Sequence, residues 1–93
     1  MSNNGNSIET SADALRAIAQ NVVDYTNIQY EIIRRYLSEM SGLTGEIENY
    51  GYKDLMTAIS SWLSVMDDLR GQGAQFASFL NTKADYLDHM SRS

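Results

Sequence analysis

Residues 15–40 read LRAIAQNVVDYTNIQYEIIRRYLSEM, and the spacing of large apolar side chains in this stretch decides the fold. Leu15, Ile18, Val22, Tyr25, Ile28, Ile32, Tyr36 and Met40 recur every three or four residues, the step that keeps side chains on one face of a helix. Strict apolar alternation over a strand length occurs nowhere in the chain. The average step is close to 3.5 residues, the seam of two helices packed lengthwise.

The same pattern returns after residue 52. Leu55, Ile59, Trp62, Met66, Leu69, Phe76, Leu80 and Leu87 step by threes and fours, with Gly73 and Lys83 filling the missing positions. There is no proline among the 93 residues, so nothing removes a backbone donor inside either run. The pattern predicts an all-α fold: an antiparallel two-helix hairpin, pairing with a second hairpin into a four-helix bundle. Its predicted core is Leu15, Ile18, Val22, Ile59, Trp62, Met66, Leu69, Phe76 and Leu80.

Local signals place the boundaries. Residues 1–7 are Asn, Ser and Gly after the initial Met and read as a disordered tail, leaving residues 8–93 as a single helical-hairpin domain. Thr10 or Ser11 is a candidate N-cap, with Asp13 favoured near the positive end of the helix dipole. Helix 1 is expected over about 10–40 and ends at Ser41-Gly42, where glycine takes a left-handed conformation at little cost. The bend is expected over about 41–52. Helix 2 starts either after this bend or near Glu46, and continues to about Met90. Gly71 and Gly73 fall inside it, each costing about 1 kcal/mol relative to alanine. They are read as a close helix approach or a bend, with a full break as the lesser alternative.

The seam does not account for every apolar residue. Val23, Tyr30, Ile33 and Leu37 form another stripe on helix 1, and Met56, Leu63, Phe79 and Tyr86 lie off the main seam on helix 2. An isolated hairpin needs one apolar stripe of about 100° per helix. Val23, Tyr30, Ile33, Leu37, Met56, Leu63 and Phe79 are therefore the predicted partner interface, since a contiguous exposed apolar patch marks a docking surface. Charges fit the outer faces, with Glu31 and Arg35 spaced for an i,i+4 pair.

Composition narrows the function classes. Twelve acidic residues outnumber seven basic ones, for a net charge of −5, which disfavours nucleic acid and anionic lipid surfaces. No apolar run approaches the ~20 residues of a membrane span. The N-terminal residues have neither the basic nor the apolar region of a secretory signal peptide, so export, if it occurs, is expected without a cleaved signal. There is no cysteine and one histidine, His89. That rules out a thiolate site and leaves a His-based triad or zinc site without partners. The acid pairs Asp67/Asp68 and Asp85/Asp88 lack a cleft to separate their pKa values, and no phosphate-binding or calcium-loop motif occurs. The chain reads as a non-enzyme with no cofactor and no metal.

Leu43-Thr44-Gly45 at the bend and Tyr86 near the end of helix 2 give the hairpin a family likeness. It resembles the WXG100, or ESAT-6-like, family of type VII secretion over about residues 8–90. Members of that family carry Trp-x-Gly between two antiparallel helices and Tyr-x-x-x-Asp/Glu near the C-terminus. By this resemblance Leu43 stands at the tryptophan position, Gly45 at the glycine and Tyr86 at the tail tyrosine. Leu43 replaces the aromatic ring, and Met90 stands where the tail acid belongs. The nearest acids, Asp85 and Asp88, complete the candidate C-terminal targeting signal at other offsets.

The resemblance implies a homodimer or a heterodimer, with a WXG100-like protein or with the N-terminal helical region of an LXG-type effector toxin. It implies a chain that is cytoplasmic before export and then secreted, or one that serves as chaperone or targeting factor for a larger effector. The missing tail acid fits a chain that relies on its partner's signal. Without the bend and tail residues, the same helices would serve a coiled-coil adaptor or regulatory protein unrelated to secretion.

Overall fold

Two helices form an antiparallel hairpin in the computed structural model, which describes residues 4–43 and 51–92 and the side chains of residues 10–43 and 51–91. Helix α1 is Asn4–Ser41 and helix α2 is Tyr52–Arg92. No strand occurs among the described residues. The absence of proline lets both helices run this far, because propagation adds a hydrogen bond for each residue fixed once a turn exists. For the same reason α1 extends back through residues 4–9, part of which was expected to be tail. Thr10 and Ser11 therefore lie inside the helix and do not cap it.

Helix α1 does not close on a left-handed glycine at Gly42. The N–H of Gly42 donates to the carbonyls of Ser38 (3.2 Å) and Glu39 (3.1 Å), and the N–H of Leu43 to that of Met40 (3.0 Å). The last turn thus tightens toward i→i−3 bonding, which satisfies carbonyls without a positive φ. The positive φ, 90°, falls at Gly51 instead. Its carbonyl accepts the Leu55 N–H at 3.0 Å, opening α2, and glycine is suited to this N-cap position. The start of helix 2 near Glu46 concerns residues outside those described. Helix α2 continues unbroken past Gly71 and Gly73. Gly73 is buried and Gly71 is exposed.

Burial follows a seven-residue repeat. In α1 the buried positions are Ala12, Ala19, Thr26 and Ile33, with Val23, Tyr30 and Leu37 half-buried four residues after three of them. In α2 one series runs Ile59, Met66, Gly73, Leu80, Leu87 and a second runs Met56, Leu63, Arg70, Ala77, Ala84, all buried or half-buried. A strict seven-residue repeat keeps one seam facing a neighbour.

The hairpin comprises two compact units. The terminal unit joins Met1–Tyr25 to Gln72–Ser93, and the central unit is Thr26–Gly71. The terminal unit is built on Ala19, Ala77 and Leu80, with Leu15 and Val23 packed against them, and on the fully buried Ala12 and Ala84. Side chains this small allow close helix approach, since interaxial distance follows the residues at the contact. The central unit buries Thr26, Ile33 and Ile59.

This seam differs from the predicted core. Ile59 and Leu80 are buried, and Leu15, Val22, Met66 and Leu69 are half-buried. Ile18, Trp62 and Phe76, however, are 47%, 49% and 49% exposed. Conversely Ile33, expected at a partner surface, is only 3% exposed. Val23, Tyr30, Leu37, Met56 and Leu63 lie half-buried along the seam. The physical reason is size. Both faces step by three and four, and the larger side chains dominate the pattern, while several of the most buried seam positions are Ala12, Ala19, Thr26, Gly73, Ala77 and Ala84.

Candidate interaction face

In the terminal unit an ion-pair cluster marks one flank of the seam. Arg16 Nη2 donates to Asp85 Oδ1 at 2.8 Å and Asp88 Oδ2 at 2.6 Å, and Asp13 stands 3.9 Å from Nη1. The hydrogen bonds to Asp85 and Asp88 raise the Arg16 pKa above its already high ordinary value. Arg16 follows Ala12 by four residues, and Asp88 follows Ala84 by four. Their contact puts the downstream flanks of both helices on the same side.

The upstream flanks share the opposite side, because each lies across its own helix from the ion pairs. There Ile18 precedes Ala19, Phe79 precedes Leu80 and Tyr86 precedes Leu87, joined by Tyr25, Phe76 and Met90. All six are large and exposed, with Tyr86 at 59%. The rings of Phe76 and Phe79 stack with centroids 6.3 Å apart and planes 17° from parallel. Lys83 Nζ lies 5.5 Å from the Phe79 ring centre, its stem laid along this surface.

The central unit repeats the division. Arg70 lies 3.8 Å over the Tyr30 ring and pairs with Asp67 at 2.6 Å. Tyr30 follows Thr26 by four residues and Arg70 follows Met66 by four, so these again mark the downstream flanks. The upstream flanks carry Ile28, Tyr36, Leu55, Trp62 and Val65, all exposed, and the half-buried Ile32. Each unit therefore has a polar flank and an apolar flank.

Large apolar side chains present about 150–250 Å² when fully accessible, and these are each about half exposed. Each flank by itself offers on the order of 500 Å². That is the size of the largest apolar patch on a typical monomer, about 300–600 Å², a patch that is often functional.

Other features carry less chemistry. A shallow open groove along α2 is lined by Met56, Thr57, Ser60, Ser61 and Ser64 and holds no charged side chain. Among the described residues no three His, Asp or Glu side chains gather as metal ligands, and no helix is long and apolar enough to cross a membrane. Glu31 does not pair with Arg35. It accepts from Arg34, at 3.0 Å from Nε and 2.9 Å from Nη2.

The predicted site residues are redistributed. Phe79 lies on the exposed apolar flank, whereas Val23, Tyr30, Ile33, Leu37, Met56 and Leu63 line the seam. The tail residues separate: Tyr86 stands on the apolar flank, and Asp85 and Asp88 are held by Arg16 on the polar one. Leu43 is exposed just beyond α1, and Gly45 lies outside the described residues. Sequence reasoning missed Ile18, Tyr25, Ile28, Tyr36, Leu55, Trp62, Val65 and Phe76 as outward-facing. The signal that would have found them is the exact spacing Ala12, Ala19, Thr26, Ile33, Met40, which marks the seam by position instead of size. Compared with protein-family models, curated proteins and solved structures, the chain matches none.

Proposed function

We propose that this chain is a helical interaction protein whose apolar flank docks a partner helical hairpin, as a homodimer or as a heterodimer with a larger protein. The observation that carries this reading is the exposure of Phe76, Phe79 and Tyr86 in the terminal unit, beside the small seam residues Ala12, Ala19, Gly73, Ala77 and Ala84, and of Trp62 in the central unit. Aromatic residues of this kind anchor interfaces, and a partner that covers them buries large side chains that the hairpin leaves outside its own seam.

The likeness at Leu43, Gly45 and Tyr86 supports placing this partnership in type VII secretion. There the chain acts as an exported partner or as chaperone and targeting factor for an effector such as an LXG toxin. The separation of Tyr86 from Asp85 and Asp88 favours the second role. A Tyr-x-x-x-acid signal needs its two side chains on one helical face, and here the acids face away and are already paired. The same separation is the observation that favours a coiled-coil adaptor unrelated to secretion.

Two measurements test the proposal. Phe79→Asp with Trp62→Asp is expected to abolish partner copurification while leaving helicity intact; full retention of the partner sinks the docking reading. Export decides between secretion and adaptor. Appearance of the chain or its bound effector in culture supernatant, lost on deletion of the type VII ATPase, supports secretion. Export of neither chain nor effector rejects it.

A further inference from the structure

The central unit, Thr26–Gly71, carries two apolar faces on α1 that match in composition. Tyr30, Ile33 and Leu37 line the seam, while Ile28, Ile32 and Tyr36 stand on the upstream flank. Each set is one tyrosine and two branched aliphatic residues, so exchanging them conserves volume, the kind of repacking that cores tolerate best. On α2 the flank offers the exposed Trp62 and the half-buried Leu69, next to the seam residues Ile59 and Met66. A turn of each helix about its own axis, by roughly 60–100°, carries one set out of the gap and the other in. The upstream flanks lie on the same side of the unit, so both turn inward together.

The axial register already suits this exchange. Arg70 lies over the Tyr30 ring, which sets residue 70 level with residue 30 in the antiparallel pair. Residues 69, 66 and 62 then stand level with residues 31, 34 and 38. Leu69 falls between Ile28 and Ile32, Met66 between Ile32 and Tyr36, and Trp62 between Tyr36 and Met40. Large side chains would alternate along the gap as knobs and holes, with no sliding of one helix along the other. A core with two such arrangements switches between them instead of deforming continuously.

One contact holds the present arrangement. Arg70 sits 3.8 Å over the Tyr30 ring and pairs with Asp67 at 2.6 Å, on the flank opposite Trp62. An inward turn of the upstream flanks carries Arg70 and Tyr30 apart. We infer that the central unit is a two-position device in which Arg70 on Tyr30 is the catch that keeps the apolar flank turned outward. When the catch is released, the helices roll, and Trp62 and Tyr36 pack into the gap and hide the flank. The use of this device rests on the docking reading above; the roll itself does not. Arg70 is a positioning residue, since it stands away from the apolar flank and decides whether that flank is presented. The outward position is the major one in the wild-type chain, and the rolled position is the minor one.

Trp62 is the only tryptophan and the chain has no cysteine, so both positions can be read. Arg70→Gln is expected to move Trp62 emission to shorter wavelength and to lower its acrylamide quenching constant roughly twofold as the rolled population rises. Far-UV circular dichroism is expected to stay unchanged, and the shift to persist at every dilution, which separates a roll from association. An unchanged quenching constant overturns Arg70 as the catch. Disulfide trapping tests the roll without relying on that variant. Leu37→Cys with Leu63→Cys, level with each other on the seam, is expected to close within the chain on mild oxidation. Ile32→Cys with Leu69→Cys stands off the present seam and is expected to close more slowly, since a disulfide needs its β-carbons within about 4.5 Å. Adding Arg70→Gln is expected to speed that second closure about tenfold. The chain closed at 32 and 69 is expected to bind the apolar dye ANS roughly threefold less than the chain closed at 37 and 63, because its apolar patch is covered. A 32–69 pair that stays reduced overturns the roll and leaves the docking reading, which partner copurification tests, standing. Closure of both pairs with equal dye binding overturns the hiding of the flank.

Discussion

Truncating Ile33 and truncating Trp62 should have opposite consequences, although Trp62 is the larger side chain. Ile33 is 3% exposed, so Ile33→Ala removes buried methyl groups and leaves a cavity. The expected cost is about 3 kcal/mol, within the range for buried aliphatic truncations. For a chain of this length that lowers Tm by roughly 15 °C. Trp62 is half exposed, and the space left by Trp62→Ala opens to solvent, so no enclosed cavity forms. The unfolded chain also covers part of the ring's surface, and the expected intrinsic cost is about 1 kcal/mol. On the docking reading its larger effect is on association. Thermal and urea melts by far-UV circular dichroism, run over a range of chain concentrations, separate the two effects, because stability gained by association depends on protomer concentration. Ile33→Ala should lower the midpoint at every concentration, and Trp62→Ala chiefly where the chain is associated. An equal loss from both variants at the lowest concentration would refute the assignment of seam and face.

Three further outcomes follow from the helix ends and glycines. Gly71→Ala should stabilise by about 1 kcal/mol, read as a raised urea midpoint, because alanine favours the helix and an added Cβ meets nothing within 4 Å. Gly51→Ala should destabilise by about 1–2 kcal/mol in the same assay despite equally open space, since its φ of 90° disfavours an L residue. Arg16→Gln should speed amide hydrogen exchange at residues 85–92 before it affects the central unit, with the difference shrinking at high salt as surface charge is screened; uniform acceleration along both helices would count against a local clamp.

The all-helical hairpin was legible because it depends on periodicity and on the lack of breakers, both of which a single sequence displays. The phase of the seam was not. Ile18, Tyr25 and Ile28 outweigh Ala12, Ala19 and Thr26 on any hydrophobic scale, yet they are the exposed set. Periodicity reports that a helix has an apolar side, and two adjoining apolar sides with one step blur into a broad band. Only the strict seven-residue spacing of Ala12, Ala19, Thr26 and Ile33 distinguishes the side that meets the other helix. The helix ends show a similar limit. Gly42 and Gly51 are the same residue type in similar settings, and which one takes a positive φ depends on where the neighbouring carbonyls find donors.

The assignment of small residues to the seam bears on the function. Large side chains along a seam hold two helices in place by their own burial, and a hairpin built that way needs nothing else. Here the terminal unit buries Ala12, Ala19, Gly73, Ala77 and Ala84, which contribute little apolar area each, beside one large side chain, Leu80, and leaves Phe76, Phe79 and Tyr86 outside. A chain of this size already buries a modest fraction of its surface. On the docking reading proposed above, a partner that covers the aromatic side adds the large-residue burial, and the hairpin alone should melt earlier than the assembly. The polar clusters fit this division. Arg16 with Asp85 and Asp88, and Arg70 on Tyr30, stand on the flank away from the aromatic residues. They tie the two helices together within each unit and leave the aromatic side uncovered.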